Sequence, residues 1–290
     1  MEDPRHIAIT GASGGLGRAL ALEYAEPGMV LSLCGRDGAA LAETARLARR
    51  KGAECFESLF DVRDGEALSA WLAGSDRRAP LELVVANAGI CRGLGPEGLE
   101  APWDAVETLR VNSESCALTA LYAAKLMLSR GRGQIAVVSS QAGKFPLTFT
   151  PSYSASKAAA SSYALSLRDG MAPFGIEVCC VCPGYVESPM QKTFAGGIFR
   201  AWTAERAASA IAARLRRNPR EIRFPFLMRI MTALYLFTPC PLKPALLRAF
   251  SFKVERAGGN AAEAHGPGAA APGGSVPDAG GQDGPEGRED

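Results

Sequence analysis

Histidine is nearly absent from this chain: His6 and His265 are the whole supply among 290 residues. An imidazole zinc site, or a histidine base held against a nucleophile, therefore has almost no raw material, and no metal is expected. Cysteine occurs eight times, but three of these thiols, Cys179, Cys180 and Cys182, share one apolar run and read as buried strand residues rather than ligands. Long hydrophobic runs are also missing. Arg229 and the prolines at 239, 241 and 244 break the most apolar stretch well short of the roughly 20 residues that span a bilayer. No charged-then-apolar leader precedes the first predicted strand, so the expectation is a cytoplasmic protein in a reducing compartment.

The formal charge of +2 hides an asymmetry, because residues 257–290 carry six acids against Arg288. The excess of cations therefore belongs to the part of the chain that can fold, and no nucleic-acid partner is expected. Short apolar runs at His6–Thr10, Val30–Cys34, Cys55–Phe60, Leu81–Ala86, Gln134–Ser139, Ile176–Cys182 and Glu221–Phe224 read as strands. Amphipathic stretches between them predict helices at Leu16–Ala25, Gly38–Lys51, Gly65–Ala73, Trp103–Ser129, Pro151–Met171 and Ala204–Arg217. Strands separated by helices of this length pair in parallel through right-handed crossovers, which makes the fold class α/β with a doubly wound parallel sheet. The predicted organisation is a single Rossmann-type domain over residues 1–225, an apolar and basic C-terminal extension over 226–256, and a disordered tail over 257–290. That tail is dominated by glycine, alanine, proline and acids and has too little to bury.

Four features name a chemistry. A glycine-rich turn, Thr10-Gly11-Ala12-Ser13-Gly14-Gly15-Leu16-Gly17, follows a predicted strand and opens a predicted helix, the context of a pyrophosphate site at a helix N-terminus. Tyr153 and Lys157 lie four apart within a predicted helix, hence on one face, where the ammonium favours ionisation of the phenol. Ser140 lies thirteen residues upstream of Tyr153 and is followed by Gly143. The Gly11–Gly15 stretch also spells Gly-x-Ser-x-Gly, the elbow of a serine hydrolase, but the later histidine such an enzyme needs would have to be His265, in the tail.

Together these segments resemble the short-chain dehydrogenase/reductase family over roughly residues 5–225. The resemblance implies an NAD(P)-dependent oxidoreductase with Asn112, Ser140, Tyr153 and Lys157 as catalytic residues. Tyr153 would supply the proton, Ser140 would hydrogen-bond the substrate oxygen, Lys157 would bind the nicotinamide ribose and depress the tyrosine pKa, and Asn112 would hold a relay water. Cofactor contacts are implied for Thr10, Gly11, Ser13, Gly15, Leu16, Gly17, Arg36, Asp61, Val62, Asn87, Ala88 and Gly89. Further along they are implied for Tyr153, Lys157, Pro183, Gly184, Val186 and Ser188. Arg36 beyond the second strand suits the 2′-phosphate of NADP(H), with NAD(H) as the alternative.

The resemblance thins after Phe224. Phe226–Phe250 is apolar, and from residue 207 to 250 eight cations face Glu221 alone. Two readings stay open: a lid over the pocket or a subunit contact, and a peripheral membrane surface. Both point to an apolar, lipid-like carbonyl or alcohol as substrate. The long helices Trp103–Ser129 and Pro151–Met171 form the dimer face in relatives, so a homodimer or homotetramer is expected. The competing class is a non-catalytic dinucleotide sensor or scaffold on the same fold.

Overall fold

The computed structural model describes residues 4–95, 97–188 and 201–243, all within the contact unit Met1–Glu255. The expected tail, and the extension beyond residue 243, lie outside the described residues.

Seven strands, β1 (His6–Thr10), β2 (Val30–Gly35), β3 (Glu54–Leu59), β4 (Leu83–Ala86), β5 (Gly133–Val138), β6 (Ile176–Pro183) and β7 (Glu221–Phe224), form one sheet. Their order is β3-β2-β1-β4-β5-β6-β7, and every pairing is parallel. The predicted strands are reproduced to within two residues at either end. Parallel strands need both faces covered, and the alternation along β1 shows how. Ile7 and Ile9 join Leu31, Leu33 and Val85 on the face under α1 (Gly15–Tyr24), α2 (Gly38–Arg50) and α7 (Ala204–Leu215). Ala8 joins Val84 and Ala86 on the other face, under α3 (Gly65–Arg78), α5 (Ser115–Leu128) and α6 (Pro151–Met171). Each fully buried Leu or Ile contributes about 1.5–3 kcal/mol to this packing.

Helix starts follow local chemistry. Asp37 accepts from Ala40 N at 2.9 Å to cap α2, Asp64 accepts from Glu66 N and Ala67 N to cap α3, and Pro151 opens α6 where its missing N–H costs nothing. At the bottom of the sheet His6 is 1% exposed, its Nδ1 2.7 Å from the Ala79 carbonyl and its Nε2 2.9 Å from Ser32 Oγ. Burial holds its pKa below 6.5.

Three elements depart from the sequence reading, the first being α3, which runs to Arg78 rather than ending at Ala73. The single helix expected over Trp103–Ser129 is α4 (Pro102–Leu109), a π-helical turn (Arg110–Glu114) and then α5. Helical periodicity hides one extra residue inserted into a continuous ladder. Phe226–Phe237 forms α8 at the end of β7, and Thr232 is its buried residue.

Candidate active site

β1 and β4 part at their carboxyl ends, because the chain crosses to the other side of the sheet after β3, and the glycine turn lies at that switch point. The turn is drawn tight against α1: a Cβ on Gly17 would stand 2.2 Å from the Gly11 carbonyl oxygen. Gly14 caps α1 without a side chain and the first turn has no acid, so the positive end of the helix is left to a ligand. Thr10 and Asn87 brace this arrangement. Thr10 Oγ1 accepts from Asn87 N at 2.9 Å and Ala88 N at 3.0 Å, and Asn87 Nδ2 donates to the Thr10 carbonyl at 2.9 Å.

A cavity of about 980 Å³ runs along the strand ends. Its wall includes Gly11, Ser13, Gly15, Leu16, Gly17, Arg36, Asn87, Ala88 and Gly89, and on the other side Ser140, Tyr153, Lys157, Pro183, Gly184, Val186 and Ser188. The donor set, a glycine cradle at a helix N-terminus with a guanidinium at one end, fits a dinucleotide.

Three of the expected cofactor residues are not in this wall. Thr10 lies beneath it as a brace. Val62 is 7% exposed and belongs to the core on the α3 face. The Asp61 carboxylate is held by Arg63, at 2.7 and 3.0 Å, which keeps its pKa below the usual range. Arg36 Nη1 approaches the same carboxylate at 3.6 Å and Glu107 at 4.0 Å, yet Arg36 remains half exposed. Arg92 is a wall residue that the sequence reading missed; it pairs with Glu107 at 3.1 Å, and no motif marks it.

The four expected catalytic residues converge where β5, α6 and the π turn meet. Ser140 caps the short turn after β5, and Gly143 lets that turn rest on α6, since a Cβ there would stand 2.6 Å from Lys157 C. The Ser140 hydroxyl lies beside the Tyr153 phenol and favours its ionised form. The neighbouring Ser139 hydroxyl is instead spent on the Lys157 carbonyl at 2.6 Å and Ser161 Oγ at 2.7 Å. Lys157 Nζ donates to the Val138 carbonyl at 2.9 Å, and burial lowers its pKa. Burial pushes the Tyr153 phenol above its usual range, while Ser140 pulls in the opposite sense. The expected depression by Lys157 is therefore not seen: desolvation dominates, and the phenol stays protonated at neutral pH.

Asn112, fully buried, lies in the π turn. Its Nδ2 donates to the Ile90 carbonyl at 2.8 Å and to Ser156 Oγ at 3.0 Å, and its Oδ1 accepts from Ile90 N at 2.8 Å. The space a Cβ on Gly89 would enter is bounded by Asn112 Oδ1 at 3.1 Å and Lys157 Nζ at 3.3 Å.

Ser140 and Tyr153 also border a second, smaller pocket of about 110 Å³. Its wall is largely apolar: Phe145, Leu147 and Phe149 from the segment after Ser140, Tyr185 and Val186 after β6, and Met228 of α8. Met228 reaches the pocket because Gly184 has no side chain; a Cβ there would meet Met228 Sδ and Pro225 Cδ. A lid over the pocket is one of the readings open for the extension after Phe224, and Met228 of α8 lies in the pocket wall. The wall from Gln141 to Thr150 was missed because a run of mixed apolar residues in a loop carries no periodicity.

Among the described residues no helix is long and apolar enough to cross a membrane. The family model for short chain dehydrogenase matches residues 5–196. A ketoacyl reductase named for the monensin polyketide synthase of Streptomyces virginiae is 35% identical over 206 residues, covering 70% of this chain and 79% of its own. A 3-dehydrosphinganine reductase of Arabidopsis thaliana is 32% identical over 189 residues, 64% of this chain and 56% of its own. A variant of the actinorhodin polyketide ketoreductase, solved with NADPH, superposes with a TM-score of 0.68 at 24% identity, over 77% of this chain and 96% of that one.

Proposed function

The chain belongs to the short-chain dehydrogenase family and is an oxidoreductase, and from that premise we propose that it reduces the carbonyl of an apolar, lipid-like substrate with NADPH. The observation that carries this reading is the junction of the two cavities at Ser140 and Tyr153: a polar, glycine-lined one on one side and an apolar one on the other. When bound, the nicotinamide supplies hydride to the carbonyl carbon. Tyr153, neutral because buried, donates its proton to the carbonyl oxygen as charge develops there, and Ser140 donates a hydrogen bond to that oxygen. Lys157 holds a positive charge beside the phenolate that remains, and Asn112 Oδ1, bordering the same space, orients the path by which the proton is replaced.

NADPH is favoured over NADH by the end of β2. A Cβ on Gly35 would stand 2.0 Å from Ser13 Oγ, so the strand end holds no acid to repel a 2′-phosphate, and Arg36 follows with half its side chain free. Structures solved with NADPH among the likenesses agree with this assignment, and NAD(H) remains the alternative. Glycines 11, 15 and 17, Ser13, Leu16, the Asn87–Gly89 segment, Pro183, Gly184, Val186 and Ser188 hold the dinucleotide, while Thr10, Asp61 and Val62 support its seat from behind. A non-catalytic sensor would have no use for the Ser140–Tyr153 pair.

The same proposal includes the setting. α8 covers the pocket with Met228 and presents Phe226, Leu227, Ile230, Leu234 and Phe237 outward, each about half exposed or more. Arg229 stacks on Phe226 and Lys243 on Tyr235, so cations rim the apolar face as an anionic lipid surface requires. That face supports peripheral attachment to a membrane surface, with the protein taken as cytoplasmic. Exposed Trp103, Val106, Leu109 and Leu121 along α4 and α5 fit a homodimer or homotetramer contact. The division at residues 225 and 256 separates the catalytic domain, this extension and the tail. The deciding experiment is NADPH oxidation with purified protein and a panel of apolar ketones and aldehydes. Absence of turnover with every member would refute the reductase reading.

A further inference from the structure

Gln141 stands directly after Ser140, lines the apolar pocket and is 1% exposed. Its amide is oriented by Arg223, whose Nη2 lies 3.4 Å from Oε1; Thr232 Oγ1 is as near, but donates its one proton to the Met228 carbonyl at 2.8 Å. Turning the amide over would set its NH₂ group against the Arg223 guanidinium, donor against donor. The nitrogen is therefore committed to the other side, where it is buried and has no hydrogen-bond partner. The pocket wall is largely apolar, with Phe145, Leu147 and a Met228 thioether that is at best a weak acceptor, and none of its hydroxyls is bonded to this nitrogen. A buried donor left unmade costs about 1–3 kcal/mol. That cost is recovered only if something entering the pocket brings an acceptor.

We propose that Gln141 is a specificity-determining residue whose Nε2 donates to a second oxygen of the substrate, placed a few bonds from the reacting carbonyl. The proposal rests on the reductase reading for which carbonyl reacts, and it adds the substrate class: an apolar chain bearing two neighbouring oxygens rather than an isolated ketone. Ser140, which faces the oxygen that takes the proton from Tyr153, and Gln141, which carries the free donor, line one pocket of about 110 Å³, so the two recognised oxygens share that small volume. A site built to donate rejects an analogue lacking the acceptor, because the donor then stays buried and unpaired. The Thr232 hydroxyl donates to the Met228 carbonyl at 2.8 Å, so it neighbours the amide without setting which way the donor faces.

The test is equilibrium binding, which reads the pocket without hydride transfer. Full-length protein saturated with NADP⁺ is titrated with three chains of equal length: a methyl ketone, the corresponding 3-oxo ester, and the ketone carrying a hydroxyl on the adjacent carbon. At least one two-oxygen ligand is expected to bind about tenfold tighter than the ketone. Which one does so distinguishes a β from an α placement. Gln141→Glu keeps an acceptor for Arg223 but removes the donor, and Gln141→Leu removes both; each is expected to reduce the preference to less than about threefold. Thr232→Val keeps the donor and is expected to retain the preference. No preference in the wild type, a preference that survives both Gln141 variants, or one that Thr232→Val also abolishes would overturn the proposal. Failure of the reductase reading shows separately, as absence of NADPH oxidation with every ligand.

Discussion

Lys157 Nζ stands 5.8 Å from the centre of the Tyr153 ring, one turn along α6, and is anchored there by the Val138 carbonyl. The ammonium is thus fixed beside the phenol independently of any ligand. Tyr153→Phe leaves that anchor and the cavity wall in place and removes only the proton donor. Reduction is expected to fall by about 10²–10⁴-fold with dinucleotide affinity nearly unchanged. Steady-state turnover alongside a fluorescence titration with NADPH checks both halves.

The pH profile of reduction should be set by the lysine. Burial raises the Tyr153 pKa, so the acid stays protonated through neutral pH, while burial lowers the Lys157 pKa from 10.5. Loss of the ammonium removes the charge that stabilises the phenolate. kcat/KM is therefore expected to decline as pH rises, with a midpoint below 10.5. Lys157→Arg, which stays charged, should move that decline to higher pH; a limb in the same place would assign it to another group.

Arg36 should decide between the cofactors. Arg36→Ala is expected to weaken NADPH by about 1–3 kcal/mol and leave NADH almost unchanged. The existing pair with Asp61 at 3.6 Å places the effect toward the lower end, because the guanidinium must share itself. Equal losses for both cofactors would remove Arg36 from the role.

Stability carries its own pH signature through His6. The imidazole is buried neutral, with a folded-state pKa below the 6.5 of the exposed group. Below 6.5 the unfolded chain binds a proton that the folded one refuses, so this contribution is complete above 6.5 and is lost as pH falls through that value. The slope is at most about 1.4 kcal/mol per pH unit. His6→Gln should flatten the acid side of the stability curve measured by urea titration, and an unchanged slope would refute the assignment.

The outward face of α8 predicts binding to anionic vesicles that weakens with added salt, since exposed charges are screened over about 8 Å at physiological ionic strength. Phe237 is 87% exposed, so Phe237→Asp should reduce co-sedimentation without changing thermal stability. Indifference of the wild type to both anionic and neutral vesicles would leave α8 as a pocket cover or subunit contact.

Much of this was legible in the chain because parallel strands buried on both faces read as short apolar runs, and because the glycine turn and the Tyr153–Lys157 spacing are local. Asp61 shows the limit. A carboxylate at a strand end looks free in sequence, yet Arg63, two residues on, engages it, and only the fold brings Arg36 to it as well. Gln141 shows another: its meaning depends on Arg223, 82 residues away, which orients its amide. Pairings of that range leave no periodic trace.

The π-helical turn between α4 and α5 fixes chain length as firmly as residue identity. One residue more than the ordinary ladder needs is accommodated at Arg110–Glu114, and Asn112 lies in it. Deleting a single residue there would restore regular winding and remove the wide turn from which Asn112 reaches Ile90 and Ser156. A one-residue deletion at this point therefore reaches the active site even though it need not touch an active-site residue.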